Sequence, residues 1–232
     1  MLRTRALEAT AFARQAYLLP RDVARPVIPR DVGAGEDVVV FLHGLFASAG
    51  VLQPMRAHIG RHRHIHTAAT SYPPGPGVRV IAARLAALLA ELPEDARIHL
   101  VGHSLGGIVA RHHGVTSGDE RIVSTIALAS PFGGIRGIGK LRFGGARDLD
   151  EESELLRAIR SSSVRLPHLS IFAGADRLTR EIAAHAIPNA DVEIIHDIGH
   201  NTVLFDQRAI DAVELRILSH CSSAEAVPNS RR

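Results

Sequence analysis

Two kinds of hydrophobic pattern alternate along the chain. Short apolar runs, typical of strands buried on both faces, occur at residues 38–42, 98–101, 122–129 and 169–173, and two further strands are predicted at 65–69 and 192–196. Between them lie segments in which helices are predicted, the clearest having apolar residues about every three or four positions: 47–60, 78–92, 105–113, 151–160, 182–186 and 205–218. Strands that alternate with helices predict an α/β fold with a mostly parallel central sheet flanked by helices.

These alternating segments predict a single domain over residues 37–220. A basic N-terminal segment, residues 1–36, precedes it and is rich in proline and glycine from residue 20 onward. Small and polar residues dominate 221–232, which predicts a disordered tail.

An amphipathic helix is predicted within the N-terminal segment, because four apolar residues recur there at helical spacing: Ala9, Phe12, Ala16 and Leu19. We expect this stripe to pack on the body of the domain. The same helix carries a basic face of Arg3, Arg5 and Arg14. Such a face suits a membrane surface, so peripheral membrane contact is the alternative.

Composition and charge narrow the class of function. The 232 residues are 46% hydrophobic and 22% charged, as in an ordinary globular protein. A net charge of +3, with two Tyr and no Trp, argues against a nucleic-acid partner. No signal peptide or transmembrane span is predicted, and we expect a cytoplasmic protein. Cys221 is the single cysteine, so no internal disulfide forms, and its thiol is expected to have no role.

Gly102-His-Ser-Leu-Gly106 carries the clearest chemical signal, because it joins a predicted strand to a predicted helix. The pattern G-x-S-x-G at such a junction places serine on a sharp turn, with glycine where a side chain would meet neighbouring backbone. The turn also aims the N–H groups at the start of the helix at the reaction centre. Ser104 is therefore the candidate nucleophile.

Gly-His-Ser-Leu-Gly-Gly at 102–107, with His43-Gly44 after the first strand, resembles the lipase and esterase branch of the α/β-hydrolases. The resemblance runs from about residue 37 to about residue 218, and Ser-Pro-Phe-Gly-Gly at 130–134 is a softer match to bacterial triacylglycerol lipases. It implies a serine hydrolase with a small lid or none. No cofactor and no metal is expected.

The resemblance also implies an oxyanion hole made of backbone N–H groups. One donor is Leu105, directly after the nucleophile, and the other is Leu45, directly after His-Gly. Supporting roles fall to the residues that shape these two loops: His43, Gly44, Gly102, His103 and Gly106. His43 is expected to hold its loop by hydrogen bonding.

The order of nucleophile, acid and histidine along such chains selects the partners of Ser104. Asp176 follows the fifth predicted strand and His200 follows the sixth. Both lie after the carboxyl ends of strands, where open α/β sheets place their chemistry. Asp148 and Asp197 are the alternatives to Asp176, although Asp197 is too near His200 in sequence to reach the far ring nitrogen.

The glycine-rich residues 134–140 nearly match a phosphate-binding loop. Leu141 stands where that loop needs a Ser or Thr to bind Mg²⁺, so we do not predict a nucleotide site. A flexible flap beside the active site is expected instead. Its cations would attract anionic head groups: Arg136, Lys140, Arg142 and Arg147.

A histidine-rich patch raises the alternative of zinc binding at His58, His62, His64 and His66. The patch has no cysteine and no nearby carboxylate in the sequence. Arg61 and Arg63 are interleaved with the histidines and would repel a cation. No metal site is therefore predicted.

The resulting interpretation is acyl transfer. Ser104 attacks a small-molecule or lipid ester, and water activated by His200 releases the acid. Thioesterase, amidase, acyltransferase or peptidase activity would use the same triad. A non-catalytic binding protein on a hydrolase fold is the alternative from another class. Acyl chain length and oligomeric state are left open.

Overall fold

The computed structural model describes residues 2–141 and 144–225. Within them, six strands form one sheet in the order β2-β1-β3-β4-β5-β6. The strands are β1 (Asp37–Leu42), β2 (Ile65–Thr70), β3 (Arg97–His103), β4 (Ile122–Leu128), β5 (His168–Ala173) and β6 (Asp191–Ile195). Every neighbouring pair is parallel, so the predicted α/β architecture is confirmed.

Helices and short 3-10 turns connect the strands. The helices are α1 (Leu2–Leu18), α2 (Gln53–Ile59), α3 (Val78–Leu89), α4 (Leu105–Thr116), α5 (Gly144–Asp148), α6 (Glu154–Arg160), α7 (Ile182–His185) and α8 (Gln207–Glu225). The 3-10 turns are Ala49–Leu52, Ile138–Leu141 and Thr202–Leu204. Among the described helices, none is both long enough and apolar enough to cross a membrane.

The hydrophobic core has two halves, one on each face of the sheet, because side chains alternate along a strand. On β1, Val38, Val40 and Leu42 belong to one half, and Val39 and Phe41 belong to the other. All five side chains are fully buried. Helices α3 and α4 pack on the first face, and α2 and α8 pack on the second. Burial on both faces explains the apolar runs of the inner strands, whereas β6, at the edge of the sheet, exposes Asp191, Val192, Glu193 and Ile194.

Two helices extend past their predicted ends. Helix α4 continues through Gly114 to Thr116, because Gly114 permits close packing rather than ending the helix: a Cβ there would lie 2.6 Å from the Leu166 side chain. Helix α8 continues to Glu225, into the predicted disordered tail, because Cys221 still packs on the core. Residues 226–232 lie outside the described part of the chain.

Helix α1 forms, but the predicted packing of its apolar stripe is wrong. The four stripe residues are exposed: Ala9, Phe12, Ala16 and Leu19. The face turned toward the domain carries Glu8, Ala11, Gln15 and Leu18, and of these Ala11 and Leu18 are buried. The loop after β6 donates hydrogen bonds to Glu8 and accepts one from Gln15, which holds this mixed face in place. Hydrophobic periodicity therefore gives the wrong orientation.

Asp37 ties the start of β1 to β3 and to α8. Its carboxylate accepts hydrogen bonds from Arg97 Nε at 3.0 Å, from His99 Nε2 at 2.9 Å and from the Cys221 thiol at 3.0 Å. Burial opposes ionisation of Asp37, but these hydrogen bonds outweigh it and lower its pKa to about 2. Cys221 therefore has a structural partner that sequence reasoning did not find.

We predict that Asp37→Asn lowers the free energy of unfolding at neutral pH by about 1–3 kcal/mol, because buried donors lose a charged acceptor. The folded-state pKa of Asp37 lies below its ordinary value of 3.8. The stabilisation is therefore present above that pH and is lost as the pH falls toward about 2. Urea unfolding at several pH values should show a weaker acid dependence in the variant. Equal losses in Asp37→Asn and in the exposed Asp95→Asn control would contradict this account.

Candidate active site

Ser104 occupies a tight turn between β3 and α4. Its φ of 53° and ψ of −119° lie in a region that residues other than glycine rarely adopt. A Cβ on Gly102 would lie 2.2 Å from the carbonyl carbon of Gly106, and a Cβ on Gly106 would lie 2.2 Å from the carbonyl oxygen of Leu42. Since neither position has room for a side chain, backbone packing accounts for both glycines of the motif.

A hydrogen bond joins Asp176 and His200 at the carboxyl ends of β5 and β6. His200 Nδ1 lies 2.7 Å from Asp176 Oδ2. The buried carboxylate also accepts from the Leu178 N–H and the Thr179 hydroxyl, each at 2.8 Å. Burial opposes its ionisation, yet its hydrogen bonds, above all the one with His200, hold the pKa of Asp176 below the ordinary value. A carboxylate on Nδ1 fixes the proton there and leaves Nε2 to act as a base.

Ser104 and His200 line the same cavity, which has a volume of about 200 Å³. Gly44 and Leu45 also line it, so the loop after β1 borders the serine. A Cβ on Gly44 would lie 3.2 Å from the Ser104 Cβ, which leaves no room for a larger residue in that loop. Among the described residues, the Ser104 hydroxyl has no hydrogen-bond partner. Catalytic hydrogen bonds commonly tighten only when substrate binds.

His43 holds the loop after β1 through both ring nitrogens. Nδ1 donates to the carbonyl oxygen of Gly44 at 2.7 Å, and Nε2 accepts the backbone N–H of Tyr72 at 3.1 Å. The Tyr72 ring stacks on the imidazole at 3.8 Å, and its hydroxyl donates to the carbonyl oxygen of His43. Burial lowers the pKa of His43 to about 4. A neutral ring in this arrangement shapes the loop and carries no proton for the reaction.

His103 holds the other side of the site. Its Nε2 donates to the carbonyl oxygen of His200 at 3.0 Å, and the two ring centroids are 4.8 Å apart. Burial, with a smaller contribution from the charge of His200, lowers the pKa of His103 to about 3. His103 is thus a neutral donor that connects the elbow to the histidine loop.

Asp148 and Asp197, the two alternatives to Asp176, have other places in the structure. Asp148 Oδ2 accepts the backbone N–H of Val78 at 2.5 Å, which caps the start of α3. Asp197 has a positive φ of 66° in the turn after β6. Only Asp176, of these three carboxylates, hydrogen-bonds to His200 among the described contacts.

The glycine-rich segment lies beside the site. Ile135 and Ile138 line the cavity that holds Ser104. Of its predicted cations, Arg136 pairs with Glu151 at 3.3 Å. Arg142 lies outside the described residues.

The histidine-rich patch divides into two groups, each in contact with one carboxylate, rather than forming one cluster. His58 and His62 contact the carboxylate of Glu214, at 3.3 and 2.6 Å. His64 and His66 contact Glu36, at 2.8 and 2.6 Å. These carboxylates come from distant parts of the chain, which is why the sequence around the histidines gave no sign of them.

A comparison with family models decides which family this arrangement represents. The model of the alpha/beta hydrolase family matches residues 39–170, more than half of the chain. The chain belongs to the α/β-hydrolase family. The match contains the elbow, and Asp176 and His200 follow it in the order usual for this fold. A sequence search of curated proteins gives no match.

Solved structures share the fold at low sequence identity. A Pyrobaculum calidifontis esterase is 16% identical with a TM-score of 0.62, covering 95% of this chain and 92% of its own. The Bacillus licheniformis lipase BlEst2 is 15% identical with a TM-score of 0.65, covering 83% and 96%. A Mycobacterium tuberculosis protein described as the non-heme bromoperoxidase BpoC is 17% identical with a TM-score of 0.63, covering 84% and 97%. These likenesses show the α/β-hydrolase fold.

Sequence reasoning missed several residues that hold the site. Thr179 stands three residues after Asp176, where a hydroxyl can reach the carboxylate, so a local signal existed. No local signal pointed to Glu8 or Gln15, because the residues that they contact are 186 to 194 positions away in the sequence. Such contacts depend on how the N-terminal helix docks.

We predict that Tyr72→Phe lowers the free energy of unfolding by about 1–2 kcal/mol, because the buried carbonyl of His43 loses its donor while the stacked ring is kept. The other tyrosine of the chain, Tyr17, is 71% exposed and offers a matched control as Tyr17→Phe. Urea unfolding of both variants measures the difference. If both are as stable as the unmodified protein, the hydroxyl contributes nothing to the loop.

Proposed function

We propose that the protein is a carboxylic-ester hydrolase that forms an acyl-enzyme on Ser104. The observation that carries the proposal is the hydrogen-bonded pair of Asp176 and His200 beside a serine held on a strained turn. Membership of the α/β-hydrolase family supports a hydrolase, and the geometry supports nucleophilic catalysis by serine.

In the first step the Ser104 oxygen attacks the ester carbonyl while its proton passes to Nε2 of His200. Asp176 holds the ring in the tautomer that leaves Nε2 free and stabilises the imidazolium that forms. The imidazolium then gives the proton to the departing alcohol. In the second step the same nitrogen activates water, which attacks the acyl-enzyme and releases the acid.

Negative charge that develops on the carbonyl oxygen needs donors already in place. We assign these to the backbone N–H groups of Leu105 and Leu45. Leu105 begins α4, so its N–H belongs to the set at a helix start that lacks a partner within the helix. Leu45 borders the same cavity as Ser104. The hydrogen bonds of His43 fix the loop that presents it.

The walls of the cavity favour an apolar acyl group. Six apolar side chains line it: Leu45, Ala47, Ile135, Ile138, Leu149 and Leu178. Its volume of about 200 Å³ is below the range typical of drug-sized ligand pockets. We therefore propose short acyl chains as the preferred substrates. An ester, a thioester and an amide of one short acid would then separate the alternatives that share this triad.

We predict that Ser104→Ala lowers kcat for p-nitrophenyl butyrate by roughly a thousandfold or more, because the nucleophile is lost. The exposed Ser161→Ala is the matched control and should keep full activity. Butyrate should be hydrolysed faster than palmitate. If the unmodified protein hydrolyses no ester in a chain-length series, or if Ser104→Ala remains active, the proposed function is wrong.

A second prediction distinguishes the proposed acid from its rival. Asp176→Asn should lower kcat on the order of 10⁴-fold with the fold intact, because an amide no longer selects the productive histidine tautomer. Asp148→Asn should leave kcat within about threefold of normal, since that residue caps α3. Steady-state kinetics and urea unfolding of both variants provide the measurement. The reverse pattern would move the acid to Asp148.

A further inference from the structure

Helix α1 contacts the loop that carries His200 through the carboxylate of Glu8. Glu8 accepts four hydrogen bonds from the two residues that follow His200. Asn201 donates its backbone N–H and its side-chain amide, both at 2.8 Å. Thr202 donates its backbone N–H at 3.1 Å and its hydroxyl at 2.7 Å. Hydrogen bonds to a charged acceptor are roughly twice as strong as neutral ones.

Gly199, the residue before His200, lies against the same carboxylate. A Cβ on Gly199 would lie 2.5 Å from Glu8 Oε2, so a larger residue there would have to displace the Glu8 carboxylate. Two turns further along α1, Gln15 donates to the side-chain oxygen of Asn201 at 2.8 Å. The backbone on both sides of His200 is therefore packed against α1.

Other contacts restrain His200 itself. Asp176 holds ring nitrogen Nδ1, and His103 holds the carbonyl oxygen. After His200 the backbone is held by the 3-10 turn, in which the Val203 N–H donates to the carbonyl oxygen of Gly199, and by the four hydrogen bonds to Glu8. The ring must aim Nε2 at Ser104 for proton transfer. A displacement of about 1 Å at a catalytic group can cost about a hundredfold in rate.

We propose that Glu8 is a positioning residue that fixes residues 199–202 and so aims the His200 imidazole at Ser104. The proposal rests on the proposed role of His200 as the base. Glu8 touches neither the nucleophile nor Asp176 in the described contacts, so its effect on the reaction passes through His200. The N-terminal helix accordingly contributes to the reaction by setting the position of His200.

The test compares Glu8→Ala, Glu8→Gln and the exposed control Glu91→Gln. We expect Glu8→Ala to lower kcat for p-nitrophenyl butyrate roughly ten- to a hundredfold with KM changed less than about threefold. Glu8→Gln should lose less, because its amide oxygen keeps one acceptor. Glu91→Gln should match the unmodified protein. Unchanged kcat in Glu8→Ala would overturn the proposal.

A second experiment, carried out in a variant that lacks His200, separates a positioning role of Glu8 from a general loss of stability. In His200→Ala, addition of Glu8→Ala should cause no further loss of the residual rate, because the group that Glu8 positions is already absent. A loss of the same factor in both backgrounds would show that Glu8 supports the fold generally, and the proposal would be wrong.

A spectroscopic readout keeps this test separate from the proposed function. The proton between His200 Nδ1 and Asp176 should give a downfield ¹H NMR resonance in the unmodified protein and in Glu91→Gln. Glu8→Ala should broaden or remove it, because the loop exchanges among positions. If no ester is hydrolysed by any form, the proposed function fails while this resonance still decides the role of Glu8. A resonance that is unchanged in Glu8→Ala would refute the positioning role.

Discussion

The site depends on one steric constraint, the close approach of backbone at the turn from β3 into α4. Gly102, Gly106 and the carbonyl of Leu42 approach so closely that no Cβ fits between them. This packing forces Ser104 into a strained conformation and lifts its side chain into the cavity. It also joins the start of α4 to the end of β1, so the serine and the loop with Leu45 become neighbours.

The parallel sheet then determines what else reaches the serine. Strands β1, β3, β5 and β6 all end at the same edge, and the loops after them carry His43, Ser104, Asp176 and His200. Neutral histidines connect these loops: His43 fixes the first, and His103 ties the elbow to the last. The carboxylate of Glu8 adds a restraint from outside the sheet. The result is a preorganised arrangement held by contacts between several loops and α1.

The features that could be predicted from sequence are those with a local cause. Apolar runs identify the inner strands because both faces of the sheet are covered there, and the glycines beside Ser104 are imposed by the turn itself. Asp176 and His200 follow from their places after strands. The packed face of α1, the role of Gly114 and the contact between Cys221 and Asp37 could not be predicted. Each depends on a side chain that is distant in sequence, 184 residues away for Asp37 and Cys221.

The central claim is that Ser104 becomes covalently acylated, and labelling tests it most directly. The protein would be treated with a fluorophosphonate, which phosphonylates activated serines, and digested for peptide mass spectrometry. Our account predicts one phosphonyl group, located on Ser104, and no labelling after Asp176 and His200 are both replaced by alanine. Labelling of another serine, or no labelling of the unmodified protein, would contradict it.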